Sequence, residues 1–150
     1  MKKKIICLLL FCLFILSGTS FATNWVAVPG SNGDVYVEAD SSVKQGSKLI
    51  FWFMNVSHAD ASGDWAKDLR NGVLVNIAKN TYKIEADLRT PRKMRYIYII
   101  SWDRNDNRIT KRAQNAEWAR GDNAIVDLAL SLAKEGQDSV AEPPPVSDRY

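Results

Sequence analysis

The chain is poor in the side chains that carry most catalytic chemistry. Its 150 residues hold one histidine and two cysteines. Both cysteines, Cys7 and Cys12, sit in the apolar run Ile5 to Leu16, behind the basic start Lys2-Lys3-Lys4. Twelve apolar residues suit the core of an export signal and fall short of the roughly 20 that a spanning helix needs. Ser20 and Ala22 fit a small-x-small cleavage site. Residues 1–22 are therefore expected to be a signal peptide, and 23–136 a single globular domain. Cleavage there removes both cysteines, which leaves neither a disulfide framework nor a thiolate metal site. Thr19 stands where a lipoprotein would carry its lipidated cysteine after Leu16-Ser17-Gly18. The expected product is unlipidated, periplasmic or secreted, and has no membrane span.

An excess of one charge is also lacking. Lys and Arg number 20 against 17 Asp and Glu, and the three surplus charges are Lys2, Lys3 and Lys4. The chain beyond the leader is neutral, which excludes a globally basic nucleic-acid binder on composition. No zinc spacing and no glycine-rich nucleotide loop occurs, so no metal and no cofactor is expected. The single His58 has Ser57, Ser62, Asp60 and Asp64 nearby. No nucleophile elbow surrounds these serines, and His58 reads as a surface residue. Asp103-Arg104-Asn105-Asp106-Asn107 matches three positions of a calcium loop. Arg108 and Gln114 occupy its glycine and glutamate positions, so the segment is expected to be a turn. Carboxylate pairs for glycoside hydrolysis need proximity in space only, and nothing in the sequence selects one.

What is present is strand periodicity. Asn24 to Val28 is a short apolar run, and Val35, Val37 and Ala39 alternate with polar neighbours. Lys48 to Ser57 is apolar on both faces and reads as a central strand covered on both sides. Ala59 to Gly72 is polar and is expected to be a long mobile connection. Val73 to Ala78 alternates again, with a turn expected at Asn80. Tyr82, Ile84, Ala86 and Leu88 share one face of the next strand. Met94, Tyr96, Tyr98, Ile100 and Trp102 are expected on one face of another, which pairs with Arg108 to Arg112 as a hairpin. The period then changes. Ile125, Leu128, Ala129, Leu132 and Ala133 mark one stripe of a helix. Asp122 is expected at its N-cap, Asp127 near its start, and Lys134 and Gly136 at its end. Pro143-Pro144-Pro145 blocks regular structure, so 137–150 is expected to be a disordered tail. The expected fold is α+β, a mainly antiparallel sheet of about six strands with one C-terminal helix on a face.

Charge is unevenly distributed. Arg89, Arg92, Lys93, Arg95, Arg104, Arg108, Lys111 and Arg112 are opposed only by Asp103 and Asp106, while the segment from Ala113 onward is acidic. The hairpin is expected to bring Arg92, Lys93 and Arg95 near Lys111 and Arg112. With Arg89, these are the candidate ligand-binding residues. Such a cluster attracts sulfated glycan, phosphate-bearing lipid or an acidic protein face. The competing interpretation is a solvated face neutralised by the acidic segment.

Trp25 opening the first strand, Val35-Tyr36-Val37, the Asp40-Ser41-Ser42 turn, a Trp-containing strand, Tyr82-Lys83-Ile84 and the closing helix together resemble the bacterial surface-adhesin protein E-like domain. The similarity spans Asn24 to Ala133. It implies an antiparallel sheet with a C-terminal helix and, for the adhesin, binding of host matrix or serum proteins. Relatives often carry a cysteine where this chain has Ala86, and another after the helix. Both are absent here, which fits loss of one disulfide as a unit. The expected function is that of an exported, non-enzymatic module binding an acidic macromolecule or an extracellular matrix protein. A small periplasmic protein that docks on or inhibits another envelope protein, through the 59–72 segment, is the alternative. A carboxylate hydrolase ranks third.

Overall fold

The computed structural model describes residues 23–56, 65–68, 71–114, 116–121 and 123–136. The expected signal peptide with Cys7 and Cys12, His58 and its neighbours Ser57, Asp60, Ser62 and Asp64, the Asp122 cap and the 137–150 tail lie outside them.

The fold is α+β and mostly antiparallel. In chain order the elements are β1 (Trp25–Ala27), β2 (Val35–Glu38), β3 (Val43–Gln45), β4 (Lys48–Val56), β5 (Trp65–Lys67), β6 (Leu74–Asn76), β7 (Lys79–Asp87), β8 (Lys93–Trp102), β9 (Arg108–Ala113), β10 (Ala119–Arg120), α1 (Asn123–Leu132) and β11 (Lys134–Glu135). One sheet holds nine strands, with the path β1-β2-β4-β7-β8-β10. Strand β4 carries β2 and β3 in tandem along one edge, and β8 carries β9 and β10 in the same way. Strand β11 pairs with β3 in parallel. The expected count of about six is low because β3, β10 and β11 have only two or three residues, too few to display an alternation.

Helix α1 covers one face. Val37, Leu49, Phe51, Phe53, Ile84 and Ala86 from the sheet meet Val126 and Ala129 there. Tyr82 stacks on Phe53 with ring centroids 4.6 Å apart, and Tyr96 meets Tyr82 edge-on at 5.5 Å. The other face of β4 is buried as well, at Ile50, Trp52 and Met54. That accounts for its unbroken apolar run.

Four local expectations are corrected. Asn80 does not turn the chain but lies inside β7, paired with Asn55 and Ser101. The stretch from Ala59 to Gly72 contains β5, which forms a separate two-stranded sheet with β6. Lys134 belongs to β11 rather than to the helix end, and the first helical turn holds no acid, Asp127 lying beyond it. The apolar residues of β8 do not share one face. Register shifts between Lys83 and Ile84, which face Tyr98 and Tyr96, so Ile97 is an extra residue. A bulge reverses the alternation. Met94 and Tyr96 therefore face the helix, while Tyr98, Ile100 and Trp102 face away, and the Trp102 Nε1–H donates to Thr81 Oγ1 at 2.9 Å.

Candidate functional site

The bulge decides where the basic residues go. Lys93 and Arg95 project from the face away from the helix, in register with Asp87 and Glu85 of β7. Arg92 precedes the strand and instead reaches the helix, where its guanidinium pairs with Asp127. Strand β9 ends with Ala113 opposite Tyr98, so Lys111 stands opposite Ile100 and Arg112 opposite Ile99. Adjacent strand residues point to opposite faces. Lys111 lies over the Tyr98 ring, 4.8 Å from its centroid, and Arg112 points to the helix side. At about 3.3 Å per residue, Lys111 is roughly 14 Å from Arg95. That exceeds the screening length of about 8 Å. Arg92, Lys93 and Arg95 are thus near one another in sequence yet split between two sides, and Lys111 and Arg112 do not join them.

Other cations do. Strand β10 sets Arg120 directly opposite Lys93 and Ala119 opposite Met94. Lys48 of β4 lies opposite Asp87. A row therefore crosses the end of the sheet through Lys48, Asp87, Lys93 and Arg120. The next row contains Ile50, Glu85 and Arg95, with Trp118 beside Arg95. The Arg95 guanidinium carbon lies 4.8 Å from the centroid of the Trp118 ring, and Trp118 is 42% exposed. Arg89 closes the cluster on Asp87. Five cations, Lys48, Arg89, Lys93, Arg95 and Arg120, surround two carboxylates and one indole.

The carboxylates are firmly held. Glu85 is buried, with Arg95 Nη2 at 2.7 Å and Lys48 Nζ at 3.1 Å. Burial raises its pKa, but hydrogen bonds from Arg95 and Lys48 outweigh that and hold it below the ordinary glutamate value. Asp87 accepts from the Arg89 guanidinium and the Arg89 backbone N–H, which bring it down to about 2. Both line a cavity of about 120 Å³ with Ser47, Lys48, Arg89 and Trp118. Two carboxylates in one cleft invite a glycosidase reading. That chemistry needs one carboxyl raised in pKa to act as the acid, and here both are lowered. A second, open cavity of about 420 Å³ is lined by Thr90, Pro91, Arg92, Arg120 and Asp127, so Arg120 borders both the cluster and this hollow.

The near-calcium segment is a self-capped turn. Asp103 Oδ1 accepts from the N–H groups of Asn105 and Asn107, and Asp106 pairs with the buried Lys79 at 2.7 Å. Among the described residues, no three His, Cys, Asp or Glu side chains are grouped to hold a metal ion, and no helix is long and apolar enough to cross a membrane.

Sequence reasoning missed Lys48, Arg120 and Trp118. Trp118 carries the one readable signal, an aromatic residue between Glu117 and Arg120 just after the basic stretch. No protein-family model, no curated protein and no solved structure matches the chain. The likeness to the adhesin E-like domain therefore rests on the sequence motifs alone.

Proposed function

We propose that the chain is an exported, non-enzymatic binding module of the kind it resembles, and that it holds a sulfated glycan at the β4-β7-β8-β10 end of its sheet. The observation that carries this reading is the pairing of Lys93 with Arg120, two exposed cations directly opposite each other in a ladder. Like charges so placed destabilise a sheet. An anion shared between them removes that cost. The surrounding cluster keeps a net charge of +3, and clustered charges sum their potentials at the surface. Trp118 offers an apolar ring edged by Arg95, a surface on which a sugar ring can lie while its sulfates meet Lys93 and Arg120.

Titration with a heparin-derived oligosaccharide at increasing salt tests this. Affinity should fall steeply with salt. Replacing Lys93, Arg95 and Arg120 with Ser should abolish most binding and leave the far-UV circular dichroism unchanged. Replacing Lys44, Arg104 and Lys134 with Ser should change it little. Equal binding by both triple variants, or a wild type without salt-sensitive binding, refutes the site.

A further inference from the structure

Three large apolar side chains stand in solvent on the β5–β6 hairpin, well away in the chain from the glycan cluster. Trp65 is 58% exposed, Val73 57% and Leu74 66%. The register places Trp65 opposite Asn76 and Lys67 opposite Leu74, so Trp65, Lys67 and Leu74 share one face. Diagonal neighbours of this kind are within reach of an indole. Hydrogen bonds join the described residues on either side of the bend. The Asp68 N–H donates to Val73 O at 2.8 Å, the Gly72 N–H to Asp68 O at 2.7 Å, and the Val73 N–H to Asn71 Oδ1 at 3.0 Å. Gly72 supplies the left-handed backbone at φ 75 that the bend requires.

The surroundings of the hairpin indicate its partner. Strand β5 packs beside β9. Strand β9 carries Arg108, Lys111 and Arg112, all exposed, and no acid. These are the basic residues that the glycan cluster leaves out. Arg108 and Lys111 share the face away from the helix, and Lys67 adds a cation on the apolar face of the hairpin itself.

We propose that this corner of the molecule docks on a bilayer surface containing acidic lipids. The indole of Trp65 suits the headgroup level, where tryptophan concentrates, with Leu74 of the same face deeper. Lys67 on the hairpin and Arg108 and Lys111 on the neighbouring strand face the lipid phosphates. A modest apolar insertion joined to a polybasic patch is the combination that retains a peripheral protein, whereas either alone is marginal. A second copy of the chain fits less well, because three side chains fall far short of the roughly 800 Å² per partner of a stable protein interface. The proposal does not depend on the glycan reading.

Vesicle co-sedimentation of the protein tests it, with phosphatidylglycerol–phosphatidylcholine vesicles against pure phosphatidylcholine. Binding should appear only with the acidic vesicles, and brominated acyl chains should quench part of the tryptophan emission. Trp65→Ser with Leu74→Ser should weaken binding at least about ten-fold and abolish the quenching. Arg108→Ser with Lys111→Ser should weaken it about ten-fold at low salt and little at 1 M. Both pairs are exposed, so circular dichroism should be unchanged. Equal binding to both vesicle types, or no loss in the Trp65/Leu74 variant, overturns the proposal. So does a change from dimer to monomer in that variant without vesicle binding by the wild type, which would assign the tip to a second copy.

Discussion

Replacing Glu85 with glutamine should lower stability and raise polyanion affinity at the same time. Its carboxylate accepts from Arg95 Nη2 at 2.7 Å and Nε at 3.2 Å and pairs with Lys48 at 3.1 Å. A hydrogen bond to a charged group contributes about 1.5–3 kcal/mol when fully desolvated. Here the Arg95 and Lys48 side chains are 42% and 49% exposed and regain hydration once the carboxylate is gone. The discounted loss is about 1.5 kcal/mol in all, or a Tm lower by roughly 6 °C for a domain of this size. The cluster meanwhile goes from +3 to +4. One further charge about 7 Å from a sulfate contributes about 0.6 kcal/mol in water before screening, so affinity rises about two-fold. Urea unfolding followed by tryptophan fluorescence reads the first effect, and titration with the oligosaccharide reads the second. The two variants should also converge in acid. A glutamate with a lowered folded-state pKa stabilises the fold fully above its unfolded value and loses that contribution as pH falls through the folded one. The gap between wild type and Glu85→Gln should therefore close below roughly pH 4. Unchanged stability at pH 7 would refute the keystone role of Glu85. Weaker binding by the variant would refute the electrostatic reasoning, since the sign would be wrong.

Phe51→Ala empties a site with no solvent exposure beneath α1 and should cost about 4 kcal/mol in denaturant unfolding; a cost under about 1 kcal/mol would mean the helix does not close over β4. Asp106→Asn preserves the left-handed turn residue at φ 60 but removes the charge 2.7 Å from the buried Lys79 ammonium. It should cost about 1.5–3 kcal/mol by thermal melt, the range of a hydrogen bond to a charged group.

Fold class was legible because the long strands carry their environment in their pattern. Tyr82, Ile84, Ala86 and Leu88 alternate onto the helix face as read, and Ile125 to Ala133 keeps a helical period. The candidate site was legible only in part. Charge density pointed to Arg89–Arg95. The partners of those residues depend on a single extra residue at Ile97, and a bulge leaves no mark in hydrophobic alternation when both faces of a strand are apolar. Arg120 enters through a two-residue strand, and Lys48 through the register of β4 on β7. Neither proximity exists in sequence, and both follow from pairings chosen by the whole sheet.

The pairing of β11 with β3 has a consequence for how the chain must be made. Lys44 and Glu135 meet across 91 positions. The stretch from Leu49 to Met54 has no charge and no proline, and its cover, Val126 and Ala129, comes far later in the chain. A chain emerging from its N-terminus first therefore displays a sticky strand throughout the synthesis of everything between. Any product that stops before Asn123 displays it permanently. Loss of the last element is thus not a trimming of the edge. It uncovers the helix-facing side of β4, and a chain truncated before Asn123 is expected to stack strands more readily than the full domain.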